Sequence, residues 1–242
     1  MSVLRVVGAM AVAVAAMLLC VVPGRADGVA PSIPTVLLFG GTDLWRYGDF
    51  LYGGALWAPS GLDDNGFTLK LLVNGGRYSY ISGDLNTDVH GTTASGAALP
   101  GWRFVGNGFT VSLFAGPVVQ EYRLSPYDPG SRLHGLYVGG QFAADVWYQP
   151  AATIMAAVNG AVASIGPTGY LRAALGYRVV DALFVGPEAA ALWCDNFQQL
   201  QAGAHVTAFR LGITEWSAGT GFAFDSDKRS GPYLRIGVSA KF

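Results

Sequence analysis

The last eleven residues of the chain, Pro232 to Phe242, alternate between apolar side chains and polar or small ones. Every even-numbered residue from Leu234 onward is apolar, whereas the odd-numbered residues between them are Arg, Gly, Ser and Lys. Successive side chains of a strand point to opposite faces, so this segment predicts a strand with one wholly apolar face. Such a face must be covered by protein or by lipid. In a transmembrane barrel the lipid covers it, and apolar-out, polar-in alternation is the expected pattern.

The same alternation recurs along the chain, with no helical periodicity after Asp27. Segments with a period of two, each closed by Gly, Pro, Asn or Asp, indicate strands joined by turns. About twelve strands are predicted, the even number expected of a bacterial barrel. They are Thr35–Arg46, Phe50–Ala58, Phe67–Tyr80, Trp102–Val105, Phe109–Arg123, Leu133–Tyr148, Thr153–Ser164, Thr168–Arg178, Ala182–Trp193, Phe197–Phe209, Leu211–Phe224 and Pro232–Phe242.

The connections predict which ends of these strands face the periplasm. Short turns are expected after even-numbered strands and longer loops after odd-numbered ones. The longest predicted loops are Ser82–Gly96, Ser125–Arg132 and Asp225–Gly231. A near-absent link is predicted at Phe209–Arg210. The predicted fold is therefore all-β, an antiparallel up-and-down outer-membrane β-barrel.

Composition agrees with this fold and excludes other classes. Only 13% of the residues are charged, roughly half of the about 25% usual for soluble domains. The 34 glycines suit a crowded barrel interior. A soluble closed barrel would instead need an apolar interior. The net charge of −1, without a basic stripe, gives no reason to expect nucleic acid as a partner.

The N-terminal segment predicts export. Arg5 precedes an apolar run from Val6 to Val22, and small residues occupy the first and third positions before Asp27. This is the pattern of a secretory signal peptide, and the alternative is an uncleaved membrane anchor. We therefore expect residues 1–26 to be a cleaved signal peptide, residues 27–242 to form the barrel domain, and the mature protein to reside in the bacterial outer membrane, with its lipid as a partner.

Five segments occur in a specific order along the predicted barrel. They are Asp49–Ala55, Gly75–Tyr80, Pro100–Phe104, Ala115–Gln120 and Ser125–Gly130. Together they resemble the cellulose biosynthesis protein BcsS family of exported proteins. The resemblance covers essentially the whole mature chain, and its most specific part runs from position 116 to position 130. It implies an outer-membrane role that accompanies cellulose synthesis, export or surface anchoring, with cellulose or the synthase's periplasmic components as partners.

The predicted inward faces carry candidate lumen residues. A glucan channel would use aromatic faces to stack on sugars and charged groups to bind hydroxyls, but the same residue types also build the packing and girdles of any barrel. The candidates for lumen or glucan contact are Tyr122, Asp145, Trp147, Tyr170, Arg172 and Arg235. For an interfacial girdle they are Trp45, Trp57, Trp193 and Trp216.

One predicted loop has a composition that fixes its shape. Pro126 and Pro129 flank Asp128, and Gly130 follows, which restricts the backbone. The loop is either an ordered cap over the barrel mouth or a stiff hairpin loop.

The sequence predicts no enzyme, no cofactor and no metal. His90, His134 and His205 lie on different predicted elements without the spacing of metal ligands. A hydrolase at the barrel rim could use His134 with Ser125 or Ser131 and Asp128, but it needs these groups within hydrogen-bond reach. The predicted function is a non-enzymatic accessory role in cellulose biosynthesis. The alternatives are a small-solute or structural barrel unrelated to cellulose and, after it, a rim hydrolase.

Overall fold

The computed structural model describes residues 33–166, 168–195 and 197–242, so the predicted signal peptide lies outside the described residues. Alternating segments form twelve strands. They are β1 (Val36–Trp45), β2 (Gly48–Trp57), β3 (Gly66–Ser82), β4 (Thr87–Gly106), β5 (Phe109–Ser125), β6 (Gly135–Ala151), β7 (Ile154–Ala163), β8 (Thr168–Val180), β9 (Leu183–Cys194), β10 (Phe197–Leu211), β11 (Thr214–Asp225) and β12 (Ser230–Lys241). Within the described ranges, no helix has the length and apolar character needed to cross a membrane.

The twelve strands close into one barrel. Each strand pairs antiparallel with its neighbours in the chain, and β1 pairs with β12 to complete the ring. In the closing pair Asp43 lies opposite Arg235, and Leu44 lies opposite Leu234. Closure leaves no unpaired sheet edge, which is the condition for placing a sheet in lipid. The predicted up-and-down barrel is confirmed.

The outside of the barrel is apolar. On β6, for example, Leu136, Val138 and Phe142 are exposed, whereas the side chains between them face the interior. Aromatic side chains ring the barrel near the end that holds Val36 and the last strand's C-terminus; they are Trp57, Phe67, Trp102, Phe104, Phe109, Tyr148, Tyr177, Phe209 and Trp216. An exposed apolar band with an aromatic girdle is the lipid-facing surface of an outer-membrane barrel.

The two ends of the barrel differ in their connections. At the girdle end, residues 107–108, 152–153, 181–182 and 212–213 form two-residue turns, and the 58–65 loop is the exception. The opposite end carries the longest connection, residues 126–134, which we call the cap loop. Because short turns face the periplasm and longer loops face outward, we refer to the girdle end as the periplasmic end and to the other as the extracellular end.

The prediction of a long loop from Ser82 to Gly96 is wrong. Most of this run is the first half of β4, and the turn comprises only residues 83–86. Here β3, β4 and β5 rise above the apolar band, so their outward residues face no lipid and the alternating pattern disappears. The backbone ladder continues regardless, from Ser82 opposite Thr87 down to Gly66 opposite Arg103.

Two further predictions fail for local reasons. The link predicted at Phe209–Arg210 lies inside β10, because a bulge between Val206 and Phe209 shifts the alternation, and the turn falls at Gly212 with φ of +59°. Trp45 is buried in the interior and is not a girdle residue. It shares the inward face of Asp43, and the missing side chain at Gly48 leaves room for its indole ring.

Candidate functional site in the barrel interior

A network of buried charged groups lies against the inner wall of the barrel at mid-height. Glu188 on β9 accepts hydrogen bonds from Nε and Nη2 of Arg172, at 3.0 and 2.7 Å. Its other oxygen accepts the hydroxyl of Tyr233 at 2.9 Å, and Arg235 also contacts the carboxylate. One carboxylate thus binds two guanidinium groups from β8 and β12. We call these four residues the central network.

A second carboxylate balances the charge. Asp43 on β1 lies opposite Arg235 in the strand register and accepts a hydrogen bond from Nε2 of Gln201 at 3.0 Å. Gln201 also donates to Gln199 at 3.1 Å. Two carboxylates and two guanidinium groups lie at this level, so their formal charges cancel, which suits buried charged groups.

Glycines let the network lie flat against the wall. A Cβ atom at Gly219 would fall on the Glu188 carboxylate and the Arg235 guanidinium, and one at Gly203 would meet the Tyr233 hydroxyl. Glycine within a strand often marks such a close approach. The high glycine content of the chain therefore has a specific use here, which is to make room for charged side chains inside the barrel.

The periplasmic half of the interior is packed around Phe114. This ring is fully buried together with Leu99 and Leu62, the last of which comes from the inward-folded 58–65 loop. Lys70 lies 5.0 Å from the centroid of the Phe114 ring and pairs with Asp145 at 2.7 Å. The layer therefore combines an apolar plug with a partly buried ion pair.

The extracellular half of the interior holds an aromatic cluster. Its buried members include Trp45, Tyr78, Tyr80 and Phe197. Ring centroids lie 5.9 Å apart for Tyr78 and Phe197 and 6.4 Å apart for Trp45 and Phe197. These side chains lie between the levels of the central network and the cap loop.

The cap loop is tied to three separate parts of the rim. Asp128, only 1% exposed, accepts the hydroxyl of Tyr80 at 2.6 Å and the backbone N–H of Gly130 at 3.0 Å. The backbone N–H of Arg132 donates to Asp195, beyond β9, at 2.6 Å. Leu133 packs on Ile165 in the turn after β7. These contacts attach the loop to the rim at three points.

The Asp128 carboxylate carries a pH-dependent part of this anchoring. The Tyr80 hydroxyl holds the pKa of Asp128 below its ordinary value of 3.8, against the opposing effect of burial. Because the pKa of Asp128 is lowered in the folded state, the stabilisation that its carboxylate gives to the cap loop is complete above pH 3.8. This stabilisation is lost as the pH falls through the lowered pKa.

We expect Asp128→Asn to loosen the cap loop. The neutral amide gives up a charge-assisted hydrogen bond, which is worth about 1.5–3 kcal/mol. The measurement is trypsin cleavage after the exposed Arg132 in the refolded barrel, which should become about tenfold faster or more. Asp84→Asn is the matched control, because Asp84 is an exposed carboxylate beside Gly130. Equal cleavage rates in the two variants would show that Asp128 does not anchor the loop.

On the opposite side of the rim, a single arginine links the ends of several strands. Arg229 pairs with Asp225 at 2.7 Å and with Asp227 at 3.2 Å, and its guanidinium lies 4.3 Å from the Tyr47 ring centroid. It also donates to the carbonyl of Ser79. Sequence reasoning missed this residue, although the dense run of charges after β11 was a signal that it could have used.

The structure places the six candidate lumen residues on the inward face but in different layers. Arg172 and Arg235 meet at Glu188, whereas Tyr122 lies below the cap loop, 3.2 Å from the Thr168 hydroxyl. Asp145 belongs to the periplasmic layer and also accepts from Asn159. Trp147 packs edge-on against Phe184, and Tyr170 is half-buried. Glucan contact by these residues stays a prediction.

The arrangement required for a rim hydrolase is not formed among the described residues. The hydroxyl of Ser131 lies 3.4 Å from Asp195, and the His134 ring packs against Tyr127 with 5.0 Å between centroids. No hydrogen bond joins His134 to Ser125 or Ser131 in the part of the chain described. Over the same residues, no group of three or more His, Cys, Asp or Glu side chains could hold a metal ion.

A closed barrel with a lipid-facing outside and charged groups in its interior defines an outer-membrane β-barrel. The family model for "Cellulose biosynthesis protein BcsS" matches residues 37–242. The chain therefore belongs to this family, as the order of its sequence segments predicted, and the family points to cellulose biosynthesis. No curated protein sequence matches the chain.

Several solved barrels are similar to this one. The KdgM porin aligns with a TM-score of 0.43 and 11% identity over 85% of this chain and 99% of its own. The translocator domain of autotransporter NalP from Neisseria meningitidis aligns with a TM-score of 0.46 and 13% identity over 98% of both chains. The TodX deltaS2S3 mutant monoaromatic hydrocarbon channel aligns with a TM-score of 0.48 and 10% identity over 87% of this chain and 91% of its own.

Proposed function

We propose that this barrel is a non-enzymatic accessory of cellulose biosynthesis that holds cellulose at the cell surface through its extracellular mouth. The observation that carries the proposal is the central network, in which Glu188 binds Arg172, Arg235 and Tyr233 inside the barrel. Because this network narrows the lumen on the side of β8 to β12, we infer that the barrel is suited to a role at its rim and not to passing a polymer.

Passage of a glucan chain along this part of the wall would disturb the network. A buried ion pair that loses one partner costs about 3–5 kcal/mol, because a charge remains without compensation in a low-dielectric interior. Sugar hydroxyls would have to replace the carboxylate around both guanidinium groups. The aromatic cluster above and the Phe114 layer below would have to move as well. The interior therefore favours anchoring of cellulose over its export.

The extracellular mouth offers groups that suit a glucan. The Tyr127 side chain on the cap loop is 65% exposed and lies beside the His134 ring, which gives an aromatic face on which a sugar ring can stack. Next to the loop is an open pocket of about 290 Å³, lined by Ser82, Asp84 and Asp128, among others. Its exposed Asp84 carboxylate can accept hydrogen bonds from sugar hydroxyls.

The test combines two measurements on the refolded mature barrel. We expect no steady single-channel conductance in planar lipid bilayers, and we expect the protein in detergent to co-sediment with insoluble cellulose. Tyr127→Ala should weaken the binding by up to about tenfold, because removal of a stacking aromatic costs about 0.5–1.5 kcal/mol. Tyr177→Ala is the matched control, since Tyr177 is an aromatic residue of the periplasmic girdle that is 62% exposed.

The outcomes separate the candidate functions. Steady conductance that soluble cello-oligosaccharides block would contradict the anchoring role and identify an export channel. A folded barrel that neither conducts nor binds cellulose would contradict both cellulose roles and leave a structural barrel.

A further inference from the structure

A row of cationic side chains lies on the outside of the barrel near its extracellular end. Arg77 on β3 is the register partner of Thr92 on β4, and Thr92 is the partner of Arg123 on β5. Residues paired in this way share a face of the sheet, and adjacent strands lie about 4.8 Å apart. The two arginines therefore stand about 10 Å apart on three neighbouring strands, both facing away from the interior.

The row lies at the upper edge of the lipid-facing band. Two positions below Arg77 on the same face is Gly75, followed by Val73, and four positions below Arg123 is the exposed Val119. Above the row on β4 and β5, the register partners His90 and Ser125 are polar and exposed. The change from apolar to polar places the row at the depth of lipid headgroups.

Both arginine side chains are exposed to solvent, and each makes only a weak ion pair. Their side chains are 62% and 53% exposed. Arg77 pairs with Asp49 at 2.9 Å, and Arg123 pairs with Glu121 at 2.6 Å. Exposed ion pairs of this kind are worth about 0–1 kcal/mol, so either guanidinium can exchange its carboxylate for a stronger ligand at little cost. Guanidinium groups match phosphate oxygens in a bidentate geometry.

We propose that Arg77 and Arg123 bind phosphate groups of a lipid in the outer leaflet of the membrane. The spacing suits one lipid with two phosphates or two neighbouring headgroups, and Thr92 between the arginines supplies a hydroxyl. The acyl chains of the lipid then lie on the apolar surface of β3, β4 and β5 below. This lipid site fixes the height of the barrel in the outer leaflet, and it does not depend on the cellulose role.

The experiment measures lipid binding by the refolded full-length mature barrel in detergent micelles, followed by native mass spectrometry. The probe is bisphosphorylated lipid A, compared with the same lipid after removal of both phosphates. We expect the double variant Arg77→Gln, Arg123→Gln to raise the Kd for the bisphosphorylated lipid about tenfold or more, because it loses charge-assisted hydrogen bonds to phosphate. Removal of the phosphates should raise the Kd of the unmodified protein to a similar extent.

The barrel offers a matched control at its other end. Arg210 is 69% exposed and pairs with Glu215 at 3.5 Å, which makes it a comparable surface arginine beside the periplasmic turns. Arg210→Gln should leave the Kd unchanged within about twofold, while all variants keep the heat-modifiable gel mobility of a folded barrel. The proposal is overturned if the double variant binds like the unmodified protein, if dephosphorylated lipid binds equally well, or if Arg210→Gln causes the same loss.

Discussion

Replacement of Glu188 by alanine is expected to lower the free energy of unfolding by about 3–5 kcal/mol. Glu188 is the carboxylate that Arg172 and Arg235 share, so its removal leaves two buried guanidinium groups without their main counter-charge. The hydroxyl of Tyr233 loses its acceptor as well. The measurement is urea unfolding of the barrel refolded in lipid vesicles, followed by tryptophan fluorescence.

Two further variants show whether the lost stability of Glu188→Ala comes from the lost charge or from the lost side-chain volume. Glu188→Gln keeps the shape and one acceptor oxygen, so we expect a smaller loss than with alanine. Glu121→Ala removes the carboxylate of an exposed pair with Arg123, and its expected cost is about 0–1 kcal/mol. If Glu188→Ala is as stable as the unmodified barrel, the network is solvated, the interior is wet, and the argument against polymer export fails with it.

Replacement of Phe114 by alanine is expected to cost about 3–5 kcal/mol. The ring is 1% exposed and lies against Leu99 and Leu62 in the periplasmic layer, with the Lys70 ammonium above its face. Removal leaves a cavity that the surrounding strands cannot close, because their registers are fixed by the ladder on both sides. The same urea unfolding experiment measures the loss.

Phe142 provides the matched control for this prediction. It lies on the adjacent strand β6, opposite Ala115, but it is 48% exposed and faces lipid. Truncation there removes contact with mobile acyl chains and leaves no enclosed cavity, so Phe142→Ala should cost clearly less than Phe114→Ala. Equal losses at the two positions would contradict the assignment of inner and outer faces.

Much of the fold could be predicted because alternation is a local property. Leu136, Val138 and Phe142 face outward as their positions in the sequence indicate, and Tyr137, Asp145 and Trp147 face inward. The alternating pattern failed to predict a strand where the strand has no lipid-facing surface. Above the lipid band β4 has no apolar surface to face, so it looked like a loop, and the bulge near Phe209 shifted the alternation by one step.

The contacts of the candidate site could not be predicted in the same way. Sequence analysis placed Arg172 and Arg235 on the inner surface, but it gave no reason to join either of them to Glu188. Nor did it connect Asp128 to Tyr80, which lies on a strand 48 positions earlier in the chain. Such partners depend on strand registers and on how far each side chain reaches across the interior.

The sequence by itself determined which face of each strand meets lipid, since the two-residue period is set by the geometry of a single strand. It also determined the family, through the order of short segments along the chain. Only the tertiary structure decided which buried charged groups meet at mid-height. Closure brings β12 against β1, and the resulting ring places Glu188 within reach of arginines 16 positions before it and 47 positions after it. No local sequence pattern predicts these contacts of Glu188, because they depend on the circumference and the strand registers of the whole barrel.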